Sequence, residues 1–152
     1  MGKKALVLAS LVIVVAVGAI GCSGVSGAPA ATGTTMVWET DWTKALTEAQ
    51  AENKPILVNF YTNACPSCRK MDQTTFVDAD LVEFLEANFI NLKSNAGESS
   101  LYQRYGISAV PTIVFSTPEG YDTTYEISRF VGYRDAAGLR EEAEAALAAW
   151  QS

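Results

Sequence analysis

The chain contains no histidine. That absence removes Ser-His-Asp triads, Cys-His dyads and every metal or haem site that depends on imidazole. Chemistry must then come from cysteine, carboxylates, hydroxyls or amines. Positive charge is scarce, with 11 Lys and Arg against 17 Asp and Glu and a net charge of -6. Such a balance repels phosphates and argues against nucleic acid as a partner. Cysteine occurs only three times in 152 residues. What is present is ample apolar material, 49% hydrophobic and 10% aromatic, so a packed core is attainable and wholesale disorder is excluded. The length suggests one domain.

The longest uncharged apolar run lies at the N-terminus. Lys3 and Lys4 precede residues 5–20, which carry no charge and are dominated by Leu, Val, Ile and Ala. A basic start followed by such a run reads as a secretory signal, and it is short for a spanning helix, which needs roughly 20 apolar residues. Ala19-Ile20-Gly21-Cys22-Ser23 resembles the bacterial lipobox, with Ala19 where Leu is commonest. The expectation is a lipoprotein signal over residues 1–21, lipidation at Cys22 and a location outside the cytoplasm, in the periplasm or cell envelope, anchored to a membrane. Two alternatives stay open: cleavage after Ala30 in Ala28-Pro29-Ala30, or an uncleaved anchor. Without Lys3 and Lys4, nine basic residues face 17 acidic ones, a charge of -8. Residues 22–35 are small and uncharged and read as a flexible tether. The folded domain is expected over residues 36–152.

Patterning along that domain alternates strands with helices. Residues 36–38 read as a short edge strand. Thr40-Asp41 offers helix N-cap chemistry, and Ala45, Leu46 and Ala49 recur at helical spacing until Lys54-Pro55 stops the helix. Residues 56–61, Ile-Leu-Val-Asn-Phe-Tyr, form a near-continuous apolar run typical of a central strand covered on both faces. Helices are expected over 65–74 and 78–88, the second with Leu81, Val82, Phe84 and Leu85 inward. A strand over 89–93, a short helix over 99–105 closed by Gly106, and strands over 112–116 and 125–131 about a Pro118-Glu119-Gly120 turn follow. Asp135 can cap a last helix with Leu139, Ala143, Leu147 and Trp150 on one face. The order is βαβαβαββα, an α/β fold with a mixed sheet. Trp38 and Trp150 read as core, Trp42 as cover for the first helix, and Tyr102 and Tyr105 as packing residues.

The chemistry concentrates at Cys65-Pro66-Ser67-Cys68. Zinc normally needs two such pairs or added histidines, and a c-type haem needs His where Arg69 stands. A structural bridge is open, although so small a loop constrains the unfolded chain little. Reversible thiol–disulfide exchange is the use that fits a pair following a strand and opening a helix. Amide N–H groups at a helix start stabilise a thiolate, the reactive form of cysteine. Cys65 is expected to be the more exposed, attacking thiol and Cys68 the more buried, resolving one. Pro66 pre-sets the first helical turn, and Ser67 can offer its hydroxyl to unpaired N–H groups. Arg69 and Lys70 add positive charge and read as solvated helix residues.

The 56–61 run leading into Cys65-x-x-Cys68, followed by Tyr105-Gly106-Ile107-Ser108-Ala109-Val110-Pro111-Thr112, resembles the thioredoxin superfamily. Lys54-Pro55, the Phe76 region and Gly132-Tyr133 resemble in particular its extracytoplasmic disulfide-interchange domains of the DsbD type. The resemblance covers about residues 37–150 and implies a thioredoxin fold, with Pro111 as a cis-proline opposite the Cys pair and Val110 presenting backbone to a client peptide. It also marks departures. Asn59 stands where the family often has a buried Asp that takes the resolving thiol's proton, and an amide cannot do so. Asp72, one turn after Cys68, is a candidate substitute, equally readable as a solvated surface acid. Ala64 replaces the usual Trp. The Pro-Ser dipeptide lacks the His of a strongly oxidising relative, which favours a reductase or electron carrier.

The resulting expectation is a thiol–disulfide oxidoreductase, a monomer that needs no cofactor and no metal. Its partners would be disulfide-containing proteins and an electron donor. Two rivals remain: a non-catalytic docking module with a fixed Cys65–Cys68 bridge, and a carrier of a soft metal on the two thiolates.

Overall fold

A computed structural model describes residues 35–152 of the chain. The signal over 1–21, Cys22 and all but the last residue of the tether lie outside the described residues.

The elements are helix α1 (Trp42–Glu52), strand β1 (Ile56–Tyr61), helices α2 (Pro66–Thr74) and α3 (Ala79–Asn88), strand β2 (Ile90–Asn95), helix α4 (Leu101–Arg104), strands β3 (Thr112–Ser116) and β4 (Glu126–Val131), and helix α5 (Ala136–Trp150). The caps follow local chemistry. Asp41, Asp78 and Asp135 each accept a backbone N–H of the first turn of α1, α3 and α5. Asn53 ends α1 in the left-handed conformation just before Lys54-Pro55.

The four strands lie in the order β2-β1-β3-β4. β1 pairs parallel with β2 and antiparallel with β3, and β4 runs antiparallel beside β3. The sheet is therefore mixed, as expected of the thioredoxin fold. Alternation along β1 divides the core. Leu57 joins Met71, Leu81, Leu85, Phe115 and Leu139 on the side covered by α2, α3 and α5. Ile56, Val58 and Phe60 pack with Ala45, Ala49, Leu101 and Tyr105 on the side of α1 and α4. Helices on both faces explain why β1 is apolar almost throughout.

Two expectations need correction. The strand over 36–38 is reduced to one bridge, Glu39 beside Leu92. Glu39 N–H donates to Asn91 and its carbonyl accepts from Lys93, but Asp41 then caps α1 and turns the chain away from the edge. Trp150 is half-buried at the last residue of α5, whose buried face is Leu139, Ala143 and Ala146. Trp38 does pack, edge-on to Phe76 with ring centroids 4.9 Å apart.

Candidate active site

The site is built where β1 stops. Residues 62–64 turn the chain, Cys65 N–H donates to the Thr62 carbonyl, and α2 begins at Pro66. Pro at the first helical position costs no hydrogen bond, because that N–H has no intrahelical acceptor. Cys65 is therefore the N-cap of α2, and the helix starts one residue later than the expected start at Cys65. Its Sγ accepts the Cys68 N–H at 3.1 Å. That contact is the one an N-cap oxygen normally makes, with sulfur in its place. It sets positive partial charge against Cys65 Sγ, where a thiolate would be stabilised. The Ser67 hydroxyl, inside the first turn, makes no hydrogen bond among the described residues. Pro66 and Ser67 are both exposed on the first turn.

Cys65 and Cys68 are joined by a disulfide, with Cα atoms 5.3 Å apart. Cys65 is 9% exposed and Cys68 4%, so the order of access is as expected but the difference is small. Access narrows because the loop before β3 stands against Cys65. The Val110 carbonyl oxygen lies 3.6 Å from its Sγ. The Val110–Pro111 peptide bond is cis. This loop is tied at both ends: Thr112 Oγ1 donates to the Ala109 carbonyl at 2.8 Å, and Gly132 N–H donates to the Pro111 carbonyl at 2.8 Å. Gly132 has φ 93°, a region a side chain rarely adopts, so glycine is required where β4 hands over to α5. The end of α2 is fastened to the same segment, with Thr75 Oγ1 donating to the Arg134 carbonyl at 2.6 Å.

Behind the sulfurs lies a polar row that sequence reasoning saw only in part. Asn59 is 3% exposed, and its Oδ1 has no hydrogen-bond partner among the described residues. Its register partner on β2 is Lys93. Lys93 Nζ sits 2.7 Å from Asp72 Oδ1, 4.8 Å from the Tyr61 ring centroid and 5.7 Å from that of Trp38. Asp72 is thus half-exposed and ion-paired, not simply solvated. Lys93 was not among the expected site residues. Its signal was a charge set in the strand Ile-Asn-Leu-Lys, which a buried strand tolerates only when the ammonium has partners.

The arrangement can open and close a disulfide beside the Val110 backbone carbonyl. The thioredoxin-like domain family matches this chain over residues 42–147. The thiol:disulfide interchange protein DsbD of Yersinia pestis is 32% identical over 94 residues, covering 59% of this chain. The chain spans only 15% of that relative's length. A thioredoxin from Thermus thermophilus superposes with a TM-score of 0.63 at 27% identity, covering 73% of this chain and 86% of that one. The C-terminal domain of Neisseria meningitidis DsbD in its oxidised form shares the fold, with a TM-score of 0.57 at 19% identity over 71% of this chain and 97% of that one.

Proposed function

Because the chain belongs to the thioredoxin-like domain family, we propose that it is a thiol–disulfide oxidoreductase exchanging the Cys65–Cys68 disulfide with partner proteins outside the cytoplasm. The observation that carries this reading is Cys65 Sγ at the start of α2, bonded to the Cys68 N–H and facing the Val110 carbonyl.

In the reducing direction, the Cys65 thiolate attacks one sulfur of a client disulfide. A Cys65–client bond forms, and the other client sulfur leaves as a thiolate. Cys68, having lost its proton, attacks Cys65 Sγ, closes the intramolecular disulfide and releases the second client thiolate. Two electrons pass from the Cys pair to the client, and a partner dithiol must restore them. Exposed Pro66 and Ser67 and half-buried Val110 form the surface met by the client, and buried Pro111 holds Val110 opposite the Cys pair. Asp72, fixed by Lys93, is the proposed acceptor of the Cys68 proton, since Asn59 cannot titrate. The absence of histidine between the cysteines supports reduction or electron carriage over strong oxidation. The N-terminal segment supports export, with lipid at Cys22 holding the domain, a monomer, near a membrane-bound electron donor.

The low exposure of both sulfurs favours one rival, a docking module with a fixed bridge. The test is trapping. Reduced Cys68→Ser protein should accumulate a mixed disulfide with a disulfide-bonded client, and Cys65→Ser should not. Failure of the parent protein to turn over such a client would leave the docking module. A midpoint potential near about -270 mV would support a reductase, and one near about -120 mV an oxidase.

A further inference from the structure

The described residues hold nine Lys and Arg side chains, and six of them pair with carboxylates: Lys44, Lys54, Lys93, Arg129, Arg134 and Arg140. Three have no carboxylate partner among the described residues. Arg104 lies over the Tyr121 ring at 4.4 Å. The other two, Arg69 and Lys70, follow Cys68 directly. In a domain with 17 acids, two cations left unpaired beside the one reactive group call for a reason.

Their geometry brackets the disulfide. Arg69 is exposed, and its Nη1 donates to the Asn63 carbonyl at 3.0 Å, so the guanidinium folds back onto the loop that delivers Cys65. Lys70 is exposed on the other side, its Nζ 4.0 Å from the Tyr133 ring centroid, next to the Gly132 that is bonded to Pro111. Of the acids at this end of the sheet, Asp72 is engaged by Lys93, Glu142 by Arg134 at 3.7 Å and Asp135 as the cap of α5, while Glu98 lies past the end of β2, in a cleft it shares with Tyr61 and Lys93 and not with Arg69 or Lys70. Glu39, Glu48, Glu52 and Glu86 instead line a cleft of about 330 Å³ around the start of β2, towards the opposite end of the sheet. β1 separates the two ends by about 17 Å at ~3.3 Å per residue. Screening acts over about 8–10 Å at ordinary ionic strength, so the distant glutamates do not cancel the cations at the disulfide.

We propose that Arg69 and Lys70 make the Cys pair selective for protein clients whose reacting cysteine is flanked by Asp or Glu side chains. The proposal rests on the exchange activity above and adds the class of client. Each cation offers a charge-assisted contact to a carboxylate on a peptide lying along Val110, and the local field raises the encounter rate of such a segment. The contact is made in the encounter and in the mixed disulfide, so it acts on the first step.

The test uses three peptide disulfides that differ only beside the cysteine, carrying Glu, Gln or Lys, reacted with the reduced full chain. At low ionic strength the Glu peptide is expected to react about tenfold faster than the Gln peptide, and the Lys peptide slower than both. The ratio should collapse towards one in high salt and in the Arg69→Gln/Lys70→Gln variant. Using the ratio removes any general effect of the substitutions on the sulfurs. Equal rates for all three peptides with the parent protein, or a ratio that the double variant leaves unchanged, overturns the proposal. No exchange with any peptide would instead remove the activity itself.

Discussion

Tyr105 provides a quantitative test of the packing that holds the Val110–Pro111 loop. Its ring is fully buried against Phe60 and Trp42, and its hydroxyl shares a 2.9 Å hydrogen bond with Ser116 Oγ. Burial pushes the phenol up to about 12, from an ordinary value of 10.0. The folded state therefore holds this proton more tightly than the unfolded chain. Below about pH 10 both states are protonated and Tyr105 adds no pH dependence. Between about pH 10 and 12 the unfolded chain ionises first, and stability falls by about 1.4 kcal/mol per pH unit, on the order of 3 kcal/mol in all. Tyr105→Phe removes that slope and also the hydrogen bond. The lost bond costs about 1 kcal/mol at neutral pH, since Ser116 keeps a 3.0 Å contact to the Tyr125 carbonyl. The variant should be the less stable protein at pH 8 and the more stable one above about pH 11. Urea unfolding of the oxidised proteins at pH 8, 10, 11 and 11.5 measures both curves. Curves that stay parallel across this range would refute the burial argument.

Two other substitutions probe the row behind the sulfurs. Asn59→Leu replaces a buried oxygen that has no partner among the described residues by an apolar side chain of the same branching, and should stabilise the domain by about 1 kcal/mol in urea unfolding; a loss of stability there and in the smaller Asn59→Ala, beyond the cost of the cavity, would show that the amide is satisfied. Asp72→Asn should slow release of a client from the mixed disulfide while leaving formation of that disulfide unchanged, as read from the two phases of a single turnover. Equal effects on both phases, or none, would remove Asp72 as the proton acceptor.

Much of this protein was legible in the linear order of residues. The strand of Ile56–Tyr61, the caps at Asp41, Asp78 and Asp135, the breaks at Lys54-Pro55 and Gly106, and the alternation of helix and strand are local matters of periodicity and hydrogen-bond chemistry. The Cys65-Pro66-Ser67-Cys68 spacing set the sulfurs on one turn, so their pairing needed no distant part of the chain. Other features depended on residues far apart in sequence. The Met36 segment contributes one bridge because Asp41 claims the chain for a helix, a competition between neighbours that apolar patterning does not rank. Lys93 meets Asp72 only because β2 pairs parallel with β1, the strand that leads into α2. The modest access to Cys65 depends on the loop at Val110, 45 positions later, and the unpaired state of Arg69 and Lys70 depends on where every carboxylate came to rest. Spacing fixes what lies within a turn of helix, and the environment of a group is fixed by whatever the fold brings across to it.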